Sequence, residues 1–255
     1  MMKTWRDKRT IEEAQMQDCK AILKGRDSLC DGTTGLYFEK PDGFKFKPGQ
    51  FANFTLDSVT STDPGGITRS LSIASAPHEK DLMVAMRMRD TGFKRIASAL
   101  PIGAPFLVEG PYGNLILHKD VARPAVFLAG GIGITPFRSM IWHATEVGSA
   151  HRIFLFYSIR RLEEAAFLEE LREIQELNPR FKFIPTITHP DGMPHDWRGE
   201  IGHITEPMLM SWLPDFQAPT FYIAGPPGMV AGMRQILDVA GVSDDNIRAE
   251  EFAGY

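Results

Sequence analysis

Between residues 128 and 136 the chain reads Leu-Ala-Gly-Gly-Ile-Gly-Ile-Thr-Pro, an apolar run feeding a glycine cluster ahead of a helical pattern. Strand, tight turn and helix are expected in that order. Glycines there permit positive φ and let another group approach the backbone, while free N–H groups at a helix start favour an anion such as pyrophosphate. The run departs from the G-x-G-x-x-G fingerprint, since Pro136 stands where the third glycine would be. Taken alone, it could be the glycine-rich connection of any α/β sheet. Its weight comes from a change of rhythm around it, from β-type runs before to strand–helix alternation after.

With 255 residues, 43% hydrophobic and 24% charged, the composition is that of a soluble globular protein large enough for two domains. A net charge of -4, mixed in sign along the chain, leaves no basic stripe for nucleic acid. No apolar run reaches the roughly 20 residues of a spanning helix, and the N-terminus is polar, so a cytoplasmic protein with no membrane span is expected. Cys19 and Cys30 are too few for a disulfide framework, a structural zinc site or a thiolate-held iron–sulfur cluster. Redox chemistry would need a bound organic cofactor. His189 and His195, with Asp191 and Asp196 in the same loop, are not read as a metal site.

The pattern predicts an N-terminal extension over 1–18, an antiparallel Greek-key barrel over 19–120 and a doubly wound parallel sheet over 121–255. A short helix is expected over 11–19. Strands are expected at 21–24, 35–38, 50–56, 70–74, 82–87 and 106–109, with a helix at 93–100. After Arg123-Pro124 come strands at 125–129, 153–157, 181–188, 220–224 and 247–252. The helices between them are expected at 136–147, 162–177, 205–212 and 227–240. The first of these is taken to start with Thr135 as cap and Pro136 at its first position. Ligand sites in such sheets lie at the carboxyl ends of the strands, where Gly130, Ser158 and Gly225 fall.

Arg69-Ser70-Leu71-Ser72 offers a guanidinium for phosphate at the start of a β segment, with Arg69 and Leu71 on one face and Ser70 and Ser72 on the other. Thr91-Gly92-Phe93-Lys94 opens a helix whose N–H groups can meet a phosphate oxygen. Gly110-Pro111-Tyr112-Gly113, residues 130–136, Tyr157-Ser158-Ile159-Arg160-Arg161 and Ala224-Gly225-Pro226-Pro227-Gly228-Met229 follow. In this order and at these points of a barrel and a doubly wound sheet, the chain resembles the ferredoxin–NADP reductase family over about residues 20–255.

The resemblance implies a flavoprotein with an FAD-binding barrel, an NAD(P)-binding domain and hydride transfer from nicotinamide to flavin between them. It puts Arg69 on the flavin pyrophosphate, Leu71 where the family stacks a tyrosine, and Ser72 beside the isoalloxazine. Loss of that aromatic contact is worth about 0.5–1.5 kcal/mol. Ser70 belongs to the same stretch, and Thr91, Gly92, Phe93 and Lys94 would hold the FAD diphosphate. Gly130, Gly131, Gly133, Thr135 and Ser158 would form one side of the NADH or NADPH site, and Gly225, Pro226 and Met229 the other. The family's cysteine before that second loop is Ala224 here. Arg160 and Arg161 are candidates for the 2′-phosphate of NADPH. The family's later Ser-Arg pair is replaced by Thr188-His189, with Arg198 further on. Ser72 and Thr135 are the candidate catalytic residues, together with a C-terminal aromatic ring over the flavin, Phe252 or Tyr255.

The expected activity is that of an NAD(P)H oxidoreductase passing electrons to a separate acceptor protein, either a ferredoxin-like or flavodoxin-like carrier or an oxygenase component. Two alternatives stand beside it: reduction of small acceptors such as free flavin, ferric chelates or quinones, and a non-catalytic flavin- or nucleotide-binding regulatory module.

Overall fold

The computed structural model describes residues 17–57, 66–191 and 193–252. Its first sheet is antiparallel and contains β1 (Gln17–Cys30), β2 (Thr33–Glu39), β3 (Phe51–Leu56), β4 (Thr68–Ser72), β5 (Asp81–Arg87) and β6 (Pro105–Tyr112), in the order β4-β3-β6-β1-β2-β5. Alternation makes these strands. In β3, Ala52, Phe54 and Leu56 are buried while Phe51, Asn53 and Thr55 are partly exposed. The sheet curls until its edges meet, with Ile73 bridging Val84 and the Ala74 N–H reaching the Met83 carbonyl at 2.8 Å. Inside, Phe38 packs on Phe54 and Phe106 with ring centroids 5.3 and 4.9 Å apart. Helix α1 (Gly92–Ala99), capped by Thr91, adds Phe93 and Ala97 to this core.

Strand β1 is much longer than the expected 21–24. Its first half pairs with β6 and its second half with β2, so one strand serves both halves of the barrel. The polar run Lys24-Gly25-Arg26-Asp27-Ser28 hides this from a reading based on apolar alternation. Residues 17–19 are strand rather than the end of a short helix, and the remainder of that expected helix lies outside the described residues.

The second sheet is parallel, in the order β10-β9-β8-β7-β11-β12. It contains β7 (Ala125–Gly130), β8 (Ile153–Ile159), β9 (Phe181–Ile187), β10 (Glu200–Ile201), β11 (Thr220–Gly225) and β12 (Ile247–Glu251). Every residue of β7 and β11 is buried, as expected for central strands covered on both faces. The helices are α2 (Ile134–Glu146), α3 (Leu168–Leu177), α4 (Glu206–Trp212) and α5 (Pro227–Val239).

Two expected helices start elsewhere. Gly131, at φ 52°, turns the chain at the end of β7 into a 3-10 turn over Gly131–Gly133 that runs directly into α2. Winding therefore begins before the Thr-Pro signal. Thr135 is not the cap but lies within the helix, where its hydroxyl donates to the Ile132 carbonyl at 3.0 Å, and Pro136 is the third helical residue. The expected helix 162–177 is interrupted. A 3-10 turn over Leu162–Glu164 is followed by a break with Phe167 at φ 61°, a residue 8% exposed and packed in the core. The short edge strand β10 was not expected. Among the described residues no helix is long and apolar enough to cross a membrane.

The sheets share core. Ala74, Met83 and Ala85 from the first belong to the same apolar cluster as Phe127, Phe137, Met140 and Tyr222. Polar ties reinforce this seam: the Asp31 N–H donates to the Glu163 carbonyl at 2.7 Å, and Arg87 pairs with Glu164 at 2.6 Å.

Candidate functional site

Where the carboxyl ends of the parallel strands face the barrel there is a cavity of about 310 Å³. Gly130 and Gly131, ending β7, line it opposite Gly225, Pro226 and Met229, which lead into α5. These loops touch. A Cβ on Gly130 would lie 2.2 Å from Met229 Sδ and 3.1 Å from Pro226 Cδ, and one on Gly225 would lie 3.1 Å from Gly130 Cα. A Cβ on Gly131 would meet nothing within 4 Å, so its backbone is open to a ligand. Gly133 does something else: its Cβ would sit 2.1 Å from the Ala224 carbonyl oxygen, which makes it a packing glycine. Neither Gly133 nor Thr135 lines the cavity.

Ser158 and Arg160 line it from the end of β8, while Arg161, one residue on, is exposed and does not. The cavity also takes Arg87 and Arg89 from the barrel, Thr188 after β9, and His203. Sequence reasoning missed Arg87, Arg89 and His203 because no local motif surrounds them. Three arginines face one carboxylate, Glu164, already paired with Arg87. This balance suits a dianionic diphosphate.

On the barrel side, β4 is exposed or partly exposed from Thr68 to Ser70, and then Leu71 and Ser72 are both buried. Ser70, opposite Asn53, is exposed and its hydroxyl lies 2.7 Å from Asn53 Oδ1. Leu71 is 6% exposed and belongs to the barrel core. Arg69 lays its guanidinium 5.2 Å from the centre of the Phe93 ring and donates to the Thr68 carbonyl at 2.8 Å. Lys94 donates its ammonium to the Arg87 carbonyl at 2.6 Å, and its backbone N–H donates to Thr91 Oγ1 at 3.4 Å. Burial, and then the nearby charges of Arg69 and Arg89, hold the Lys94 ammonium below the ordinary lysine range. An anion placed among Arg69, Arg89, Lys94 and the first turn of α1 would relieve that repulsion.

Ser72 is 8% exposed and lies opposite Phe51, whose ring centre is 5.6 Å from that of Tyr112. Beyond it is Gly113, at φ 89°, where a Cβ would come within 3.0 Å of the Phe51 ring and 3.2 Å of Glu250 Oε1. Glu250 is a residue that sequence reasoning missed; its only signal was an acid two residues before Phe252. Burial pushes its carboxyl up to about 7, so this group can hold or release a proton near neutrality. Phe252 donates its N–H to the Gly225 carbonyl at 2.9 Å and lines the cavity. Tyr255 lies outside the described residues.

The donor set fits FAD and a nicotinamide nucleotide. Arg69, Lys94 and the α1 terminus would take the FAD diphosphate, and Ser72, Gly113 and Glu250 would border the ring. The two glycine loops, with Arg160, would hold the coenzyme.

Residues 127–235 match the oxidoreductase NAD-binding domain family. The chain is 32% identical over 197 residues to the F component of the Na(+)-translocating NADH-quinone reductase of Marinomonas sp., an alignment covering 75% of this chain and 46% of that protein. It is 26% identical over 242 residues to DmpP, the reductase component of phenol 2-monooxygenase from Pseudomonas sp., covering 93% of this chain and 66% of that one. The chain thus spans about half the length of its quinone-reductase relatives. Its fold is that of a ferredoxin NADP+ reductase from Neisseria gonorrhoeae with bound FAD and NADP, with a TM-score of 0.75 at 23% identity over 94% of this chain and 99% of that one. The Amycolatopsis cytochrome P450 reductase GcoB shares it too, with a TM-score of 0.79 at 21% identity over 93% of this chain and 70% of that one. Residues 127–235 thus form a domain of the oxidoreductase NAD-binding family, and set behind a barrel of this strand order they give the chain the fold of the ferredoxin–NADP reductase type of flavoprotein reductase.

Proposed function

We propose that this chain is an FAD-dependent NAD(P)H oxidoreductase that takes hydride from NADH or NADPH and passes electrons to a separate carrier protein or oxygenase component. The observation that carries this reading is the pair of touching glycine loops, which open a cationic cavity directly beside Phe252 and the barrel. The nucleotide domain is assigned to residues 121–255 and the barrel to the residues before it, starting with β1 at Gln17, two residues earlier than the expected 19–120. Bound FAD supplies acceptance of a two-electron hydride and release of single electrons.

The chain's own residues bind, orient and hold protons. Gly130, Gly131, Gly225 and Pro226 let the coenzyme backbone approach, and Arg160 meets its phosphate. Arg69 and Lys94 anchor the FAD diphosphate, with Thr91, Gly92 and Phe93 shaping the turn beneath it. Ser72 offers a hydroxyl at the ring edge, and Glu250 holds a proton close by. Phe252 covers the cavity and keeps water from it.

An anaerobic spectrum tests this reading. Purified protein should show a flavin absorption band that bleaches on adding NADH or NADPH, and a protein without such a band after incubation with FAD would refute it. Acceptor reduction that falls steeply with ionic strength would identify a charged protein partner.

A further inference from the structure

Helix α2 begins at the glycine loop, and five residues past Gly133 it sends Arg138 towards the barrel with its side chain 8% exposed. The guanidinium is enclosed on all its donor edges. Nη1 donates to the Ala74 carbonyl at 2.8 Å and to Glu79 Oε2 at 2.9 Å; Nη2 donates to Glu79 Oε1 at 3.1 Å and to Glu170 Oε1 at 2.5 Å; Nε donates to Glu170 Oε2 at 2.9 Å. Phe167 lies against it, its ring centre 5.2 Å away. The next residue, Ser139, donates its hydroxyl to the Ser75 carbonyl at 2.7 Å. Ser75 in turn accepts from the Met83 N–H at 2.9 Å, which ties the same segment to β5.

The connectivity of these contacts matters more than their number. Ala74 and Ser75 follow Ser72 by two and three residues on the continuation of β4, and Arg138 and Ser139 follow the glycine loop on the same helix. A buried, bidentate and charge-assisted clamp thus joins the continuation of the strand that presents Ser72 to the helix that follows Gly130 and Gly131. Arg138 does not line the cavity. Its fork geometry fixes direction as well as distance, which a lysine ammonium would not do.

We propose that Arg138, held between Glu79 and Glu170 and seconded by Ser139, is a positioning residue for hydride transfer. It sets the separation between the flavin-bearing strand and the nicotinamide-bearing loop. This rests on the reductase reading above. Transfer between bound groups depends steeply on their spacing, and a misplacement of about 1 Å costs roughly a hundredfold in rate.

The test compares the flavin-loaded full chain with Arg138→Met, Arg138→Lys, Glu79→Gln and Ser139→Ala. Anaerobic stopped-flow reduction is followed against NADH and NADPH concentration. The limiting reduction rate of Arg138→Met should fall about tenfold to a hundredfold while the coenzyme dissociation constant stays within about twofold. Arg138→Lys should restore part of the rate, and Ser139→Ala should lose less. Reoxidation of the reduced protein by ferricyanide, which involves no coenzyme, should be unchanged. In the flavin-free protein, amide exchange at residues 73–76 and 134–139 should speed up together in Arg138→Met.

An unchanged limiting rate in folded variants overturns the proposal, as does an equal loss in ferricyanide oxidation. If Arg138→Met does not fold, Glu79→Gln and Ser139→Ala decide by the same criteria. Wild-type protein that neither coenzyme bleaches removes the reductase reading and this proposal with it. Bleaching at equal rates in wild type and variants removes only the proposal.

Discussion

Glu250 carries the clearest pH signature. Its carboxyl is raised from 4.5 to about 7 by burial, so between those values the folded protein binds more protons at this site than the unfolded chain. The contribution is fully favourable below the unfolded value and is lost as pH rises through the folded one. Stability should therefore fall by about 1–3 kcal/mol across this window, after allowing for the solvent the side chain still meets. Urea unfolding at about pH 5 and about pH 8 should show this fall in the wild type and a flatter profile in Glu250→Gln, which has no proton to lose. A second prediction separates two adjacent arginines. Arg160→Ala should lower kcat/KM for NADPH roughly tenfold to a hundredfold, as the loss of a charge-assisted phosphate contact would, and largely spare NADH. Arg161→Ala should change neither, since its side chain stands outside the cavity. Equal losses for both coenzymes in Arg160→Ala would assign that residue to the shared part of the nucleotide. At this scale the glycine loops, Ser158, Arg160 and Phe252 were legible because each ends a recognisable strand. Arg87, Arg89 and Glu250 were not, because they reach the site from a strand end, the loop after it and an edge strand that look structural.

Gly133 shows how an element can be read correctly in kind and wrongly in purpose. Its spacing groups it with Gly130 and Gly131 as a nucleotide-loop glycine, yet a Cβ there would sit 2.1 Å from a backbone carbonyl of β11. Gly133→Ala must push the start of α2 off the sheet, a loss of about 1–3 kcal/mol typical of overpacking. Thermal unfolding should register this drop, and an unshifted midpoint would show that the turn can slide to make room. The strand–helix order after residue 124 was legible from apolar runs and turn residues, although Thr205, read as the first helical residue, is in fact the cap of α4. The start of α2 was not, because Gly131 lets the chain wind before the Thr-Pro pair that usually marks a first turn. The break between residues 164 and 168 escaped for the opposite reason. Burial of Phe167 holds a non-glycine residue at positive φ, a tertiary effect that no local pattern announces.

The two sheets are coupled more closely than a chain of two rhythms suggests. The rhythm predicts separate barrel and α/β units, and the strand orders agree with that architecture. The seam between them was invisible in sequence, since Arg138 reaches Glu79 of the barrel across a separation of 59 residues. An apolar cluster that takes Ala74, Met83 and Ala85 into the company of Phe137 and Met140 adds a shared core at the seam to the barrel's own. Unfolding one sheet would expose that shared surface and the buried guanidinium, so the halves should melt as one cooperative unit. Calorimetry of the flavin-free protein should show one transition, coincident by near- and far-ultraviolet circular dichroism. FAD, which is proposed to bind on the barrel, should raise the midpoint of the whole transition. Its stabilisation should approach about 2.7 kcal/mol at a free concentration near 100 times the dissociation constant. Amides of β7 and β11, remote from the flavin, should gain protection together with those of β3 and β4. Two resolved transitions, with only the barrel's displaced by FAD, would show that the shared core and the Arg138 clamp are too weak to couple the halves.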